Sequence, residues 1–202
     1  SFYIVAFIFT RIIYFRIPQK NEKNVEEENN VEEKFKILIG KDNEENNVYN
    51  YLGDVKDNYL NYSGITFRIM SIDENKNIRL VSDDILTYMY SGLENGYDKS
   101  FVNKWLNSGE EKYSGIFEKI LYDKDNILVN SDLCTDVVDD LNNITCDKVN
   151  DTYKVSMLTL NDYKIAGGKN SYLNNGKSYY LGSLNSENGN YYLLESGDIA
   201  LN

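Results

Sequence analysis

Apolar and polar residues alternate over Lys34–Gly40 (KFKILIG), with Phe35, Ile37 and Ile39 on one side, which predicts a half-buried strand. Ile65–Ile72 (ITFRIMSI) and Ile78–Ser82 (IRLVS) flank the polar run Asp73–Asn77 and predict a hairpin. Ser100 stands where it can cap a short helix carrying Phe101, Trp105 and Leu106. Glu110–Leu121 places Tyr113, Ile116, Phe117, Ile120 and Leu121 at helical spacing, so a second helix is expected there. Tyr153–Leu158 predicts a strand. Thr159-Leu-Asn-Asp162 then has the form of a capping box, and Gly167-Gly168 that of a helix stop. Ser178–Gly182 and Asn190–Glu195 predict a last hairpin across Asn188-Gly189, and Asp198–Leu201 starts a further strand, as expected of a domain cut short at its C-terminal end. Strands and short helices intermingle without regular βα alternation. The expected class is α+β, a twisted and mostly antiparallel sheet with two to four short helices and long loops.

The N-terminal stretch has another character. Ser1–Thr10 is almost wholly apolar, Arg11 follows, then Ile12–Phe15 and Arg16. Spanning a bilayer takes about 20 apolar residues, so 1–17 is expected to be the trailing part of a truncated transmembrane or signal-anchor helix; an amphipathic or buried helix is the alternative. Residues 18–47 are expected to form an acidic tether: Glu22 to Glu33 hold six glutamates against one lysine. Residues 48–202 follow as a globular domain. This order suits a single-pass membrane protein with its domain on the extracytoplasmic side, although Arg11, Arg16 and Lys20 pull the other way by the positive-inside tendency.

A net charge of −11 turns this surface away from phosphate backbones, so no nucleic-acid partner is expected. The chain has no histidine. Ser-His-Asp triads, Cys-His dyads and His-bound zinc or iron are thereby excluded.

Cys134 and Cys146 are the only cysteines. They bracket a polar loop rich in Asp and Asn, and a disulfide suits both that loop and an extracytoplasmic location. Two buried reduced thiols are the alternative; zinc would find only half its shell here.

Asp73, Asn75 and Asn77 are spaced like the start of a calcium loop, but Ile78 and Asp84 stand where glycine and glutamate belong, so a hairpin loop is expected. Asp136, Asp139, Asp140 and Asn142, with Asn143, form a denser oxygen cluster; a solvated loop is expected there, with calcium the one conceivable cofactor. Asp83 and Asp84 are adjacent on a strand and face opposite sides. Eighteen tyrosines and many asparagines suit glycan or peptide binding, and Tyr172, Asn174, Asn175, Tyr179 and Tyr180 are the candidate exposed ligand face, with half or more of them expected to pack internally.

Several stretches taken together carry a likeness: Asn58–Ile69 (NYLNYSGITFRI), Trp105-Leu106-Asn107, the two cysteines, Lys154–Tyr163 (KVSMLTLNDY), Ala166–Gly176 (AGGKNSYLNNG) and Tyr179–Gly182 (YYLG). In this order they resemble the extracytoplasmic domains of unknown function in surface proteins of low-GC Gram-positive bacteria. The resemblance covers roughly residues 49–202 and implies a fold similar to the C-type-lectin-like and formylglycine-generating-enzyme group. It implies no established activity, and nothing around Cys134 or Cys146 matches the copper-binding cysteines of those enzymes. The expectation is a non-enzymatic, membrane-anchored module that binds a cell-envelope glycan or protein. The alternatives are a cation-dependent carboxylate enzyme built on the 136–143 loop, or an architectural spacer.

Overall fold

A computed structural model describes residues 11–16, 49–73 and 75–202. The main sheet has six strands: β1 (Arg11–Arg16), β2 (Tyr49–Asn50), β3 (Tyr59–Tyr62), β4 (Ile65–Ile72), β5 (Asn77–Ser82) and β8 (Val155–Met157). Its order is β2-β4-β5-β1-β8, with β3 also on β4. All its pairings are antiparallel. A three-stranded antiparallel sheet of β9 (Tyr179–Leu184), β10 (Asn190–Leu193) and β11 (Ile199–Leu201) follows, and β6 (Leu133–Cys134) pairs with β7 (Val149–Asn150). Among the described residues three short α-helices interrupt the strands: α1 (Phe101–Leu106), α2 (Lys124–Ile127) and α3 (Leu160–Ile165). The chain is an α+β fold of mostly antiparallel sheets.

The expected hairpin forms as β4 and β5, with Met70 bulging out of register between Ile69 and Ser71. Its loop is held by Asp73, whose Oδ1 accepts from the backbone N–H groups of Asn75 and Asn77 at 2.9 and 2.8 Å. The oxygens that looked like the start of a calcium loop thus close a turn. A second hairpin, β3 to β4, turns through Ser63 and Gly64, both at positive φ as a two-residue type I′ connection requires.

Local caps follow the chemistry of their residues. Ser100 Oγ accepts from Asn103 N at 3.0 Å and starts α1. Thr159 and Asp162 form a reciprocal capping box on α3, and Gly167 and Gly168 follow it with left-handed backbone. Around these elements Phe67, Leu80, Val102, Leu106, Val155, Met157, Leu158, Leu181 and Leu193 are completely enclosed. Each such side chain contributes about 1.5–3 kcal/mol relative to exposure.

Residues 11–16 form a strand between β5 and β8, with Ile12 paired to both Val81 and Ser156. The rest of the apolar anchor helix expected over 1–17, and the strand expected at 34–40, lie outside the described residues. No helix among the described residues is long and apolar enough to cross a membrane.

The helix expected over 110–121 is absent: the segment runs in turns ending in a 3-10 turn at Glu118–Ile120. Tyr113 and Gly115 have φ of 72° and 64°, which breaks a right-handed helix, and a Cβ at Gly115 would meet Ser108 Cα at 2.8 Å. The turns carry Glu118 inward, where Oε2 accepts from Ser108 N at 2.6 Å and Oε1 from Lys124 Nζ at 3.2 Å. Burial by itself would raise the Glu118 carboxyl. The bonds from Ser108 and Lys124 outweigh it and hold the group below its ordinary value near 4.5. A depressed carboxylate contributes stability above the unfolded value and loses it as pH falls through the folded one. Glu118→Gln should therefore be less stable than the parent at pH 6, with the gap closing below about pH 4.5, as urea unfolding at stepped pH will read.

Candidate functional site

The five residues of the expected ligand face do not form one surface. Tyr172 and Tyr179 are 7% and 1% exposed. Tyr179 donates its hydroxyl to Leu173 O at 2.7 Å. Both belong to the core: Tyr179 because β9 alternates strictly and sends Tyr179, Leu181 and Ser183 inward, Tyr172 from the loop that precedes that strand. Burial pushes the hydroxyls of Tyr172 and Tyr179 far above the usual tyrosine range. Asn174 and Asn175 shape the loop before β9, donating to Lys169 O and Asp83 O. Tyr180 alone of the five faces outward on a strand.

That outward face of β9–β11 is where the structure gathers groups suited to a ligand. Tyr180 stands opposite Tyr192, and Tyr192 opposite Ala200. The two half-buried rings lie 5.4 Å apart at 34°, and Asn202 Nδ2 reaches Tyr180 Oη at 3.1 Å. Burial raises the Tyr180 hydroxyl, and the bond from Asn202 only partly opposes it. It is therefore a protonated hydroxyl at neutral pH, able to donate and to accept. Two tilted rings with a phenol and an amide at one edge can stack on an apolar sugar or side-chain face while bonding its polar rim.

Beneath Tyr172 lies a buried polar centre. Arg68 on β4 stands opposite Val81 on β5, so Arg68 and Arg79 share one face of the sheet. Arg68 is sandwiched with its guanidinium carbon 4.1 Å from the Tyr59 ring centre and 5.3 Å from that of Tyr172. It donates to Val55 O and lies 3.8 Å from Asp83. Arg79 Nη2 pairs with Asp162 Oδ1 at 2.6 Å. Narrow clefts flank Tyr172, one lined by Tyr51, Arg79 and Asp162, the other by Arg68, Asp83 and Asn175; each has room for about one water molecule. The chemistry of this centre is structural: it fastens α3 and the 166–175 segment to the sheet.

Cys134 and Cys146 are paired at disulfide distance, with Cα atoms 5.4 Å apart. Their loop is sewn to β9 and β10. Val138 N donates to Leu184 O, and Tyr191 Oη donates to Val138 O at 2.7 Å. The four calcium candidates are spent on local bonds, two of them on each other. Asp136 accepts from Lys148 N, Asp139 from Ser186 N and Oγ, and Asp140 from Asn142 N and Nδ2. Among the described residues no three acidic or cysteine groups converge as a metal site would need.

Sequence reasoning missed Arg68, Arg79, Tyr59, Tyr192 and Asn202. Arginines inside the apolar runs ITFRIMSI and IRLVS were a signal of buried pairing. Tyr192 needed the β9–β10 register. The fold defines a small α+β domain with an aromatic pair on its outer sheet face. No family model, curated protein or solved structure matches the chain.

Proposed function

We propose that this chain is a non-enzymatic, extracytoplasmic binding module of a bacterial surface protein that takes a cell-envelope glycan on the outer face of β9–β11. The observation that carries the proposal is the half-buried pair Tyr180–Tyr192, with Asn202 at its edge. Sugar rings present an apolar face of C–H groups and a rim of hydroxyls, which a tilted aromatic pair and an amide complement. The Cys134–Cys146 pair supports an oxidising location, and the motif order quoted above supports kinship with Gram-positive surface domains of lectin-like fold. Membrane attachment, in this proposal, falls N-terminal to the sheet strand at Arg11–Arg16.

Titration of the protein with soluble peptidoglycan and envelope-polysaccharide fragments, read by calorimetry, tests this. Binding should weaken at least about tenfold in Tyr192→Ala, equivalent to about 1.4 kcal/mol. The melting temperature should fall only by what a lost aromatic pair of about 0.5–1.5 kcal/mol allows. Absence of binding across the panel, or binding indifferent to both Tyr180→Ala and Tyr192→Ala, would overturn the glycan proposal. An envelope protein captured by the parent but not by Tyr192→Ala would give the same face to a protein ligand instead.

A further inference from the structure

The turns over 113–122 divide their side chains between core and solvent. Phe117, Glu118 and Leu121 are buried, whereas Tyr113, Ile116, Ile120 and Tyr122 stand outward, Ile120 60% and Tyr122 76% exposed. Lys119 N donates to Gly115 O and Ile120 N to Phe117 O, so Ile116 and Ile120 are neighbours one turn apart on the outer side. Lys112 Nζ lies 5.0 Å from the centre of the Tyr113 ring, and Lys119 Nζ bends back to Ser114 O. Two acids of the stretch are drawn away: Glu118 is turned inward, and Glu111 pairs with Lys104 at 2.9 Å. Single exposed apolar side chains are ordinary, but four in so short a stretch make a patch, and such patches mark interaction surfaces.

The place of the patch in the fold indicates what covers it. Tyr62 Oη donates to Tyr122 O, and Tyr122 N donates to Ser63 Oγ at 2.7 Å, so the stretch ends against the β3–β4 turn. β4 runs away from that turn with Phe67 opposite Ser82 and Arg68 opposite Val81, and Val81 in turn stands opposite Ile12 of β1. The backbone upstream of Arg11 therefore leaves the sheet at the end where this turn lies, two strand spacings or about 10 Å from β4. Residues 1–10 carry no charged side chain, and the membrane attachment proposed above falls among them. A domain attached there turns this end of its sheet, and the patch with it, toward the bilayer.

We propose that Tyr113, Ile116, Ile120 and Tyr122 form a membrane-contacting patch that rests on the bilayer to which the chain is attached, an inference that depends on the N-terminal attachment. The side chains suit that depth. Isoleucine reaches the boundary of the acyl chains, while tyrosine rings and the stems of Lys112 and Lys119 lie at headgroup level with their polar tips in water. A patch of this size orients an attached domain and does not hold it by itself.

Fluorescence in the full chain with its native disulfide tests this. Ile120→Cys and Asn75→Cys, the latter in the β4–β5 turn at the other end of the sheet, are each labelled with a polarity-sensitive maleimide dye. Each is mixed with phosphatidylglycerol/phosphatidylcholine vesicles and floated on a density gradient. The chain should float with the vesicles. The dye at position 120 should then shift to the blue and be quenched by brominated acyl chains, while the dye at 75 does neither. Quenching of a dye at Tyr122→Cys should be lost when Ile116→Ser/Ile120→Ser is added. A chain that floats with neither dye quenched, or with both quenched alike, overturns the patch and leaves the attachment standing. A chain that does not float overturns both. A blue shift at 120 that follows protein concentration without vesicles would give the patch to a second copy, against the proposal.

Discussion

Asp162→Ala should destabilise the domain by about 3–5 kcal/mol, because it leaves the charge of Arg79 in the sheet without its carboxylate. Asp162 is 1% exposed and does three things at once. Its Oδ1 pairs with Arg79 Nη2, and its Oδ2 accepts from Thr159 N and Thr159 Oγ1 at 2.8 and 2.7 Å. Losing the cap costs about 1 kcal/mol, so most of the effect comes from the lost pairing between Asp162 and Arg79. For a chain of this size the loss corresponds to roughly 10 °C in melting temperature. Arg79→Met added to Asp162→Ala should restore part of it, since a buried pair replaced by apolar groups is often neutral while a broken pair is not. Urea unfolding of the parent, the single and the double variant checks this order. A double variant no more stable than Asp162→Ala alone would show that the cap, and not the charge pair, carries the effect.

The second large effect belongs to the cysteine pair. Closing a loop across 12 positions contributes about 3 kcal/mol in the chain-entropy model, so Cys134→Ser/Cys146→Ser should lower the unfolding free energy by about that amount. The consequence reaches beyond the loop. Val137 bridges Leu184, and Ser186 donates to Asp139, so the loop braces the turn that leads from β9 into β10 and Tyr192. Hydrogen exchange should accordingly rise at Val138 N and Ser186 N in the doubly substituted protein, with β4 and β5 unchanged until global unfolding. Equal protection at Val138 in both proteins would mean that the loop is held by packing alone.

What could be read from the sequence was whatever local chemistry decides. Thr159 and Asp162 cap their own helix, Ser100 caps α1, Asp73 closes its own hairpin loop, and the alternation of ITFRIMSI and IRLVS pairs those strands. What could not be read depends on distant partners. RIIYFR becomes a strand because β5 and β8 flank it, and nothing within those six residues separates that outcome from a helix. The spacing of Tyr113, Ile116 and Ile120 was helical, yet left-handed backbone at Tyr113 and Gly115 spends it on turns and leaves all three exposed. The candidate ligand face failed for a related reason. Tyrosine is at home in a core when its hydroxyl finds a carbonyl, as Tyr179 finds Leu173, so composition alone could not divide Tyr179 from Tyr180. Once the strand parity was known, the division followed from alternation.

The proposed binding function depends on the domain's working outside the cytoplasm, and the redox state of Cys134 and Cys146 in intact native cells reports that directly. Cells are acid-quenched, labelled with a membrane-impermeant maleimide before and after external reduction, and the peptides read by mass. The proposal predicts a linked pair that takes label only after external reduction. Free thiols that stay shielded until lysis would put the domain in the cytoplasm and remove envelope ligands from consideration.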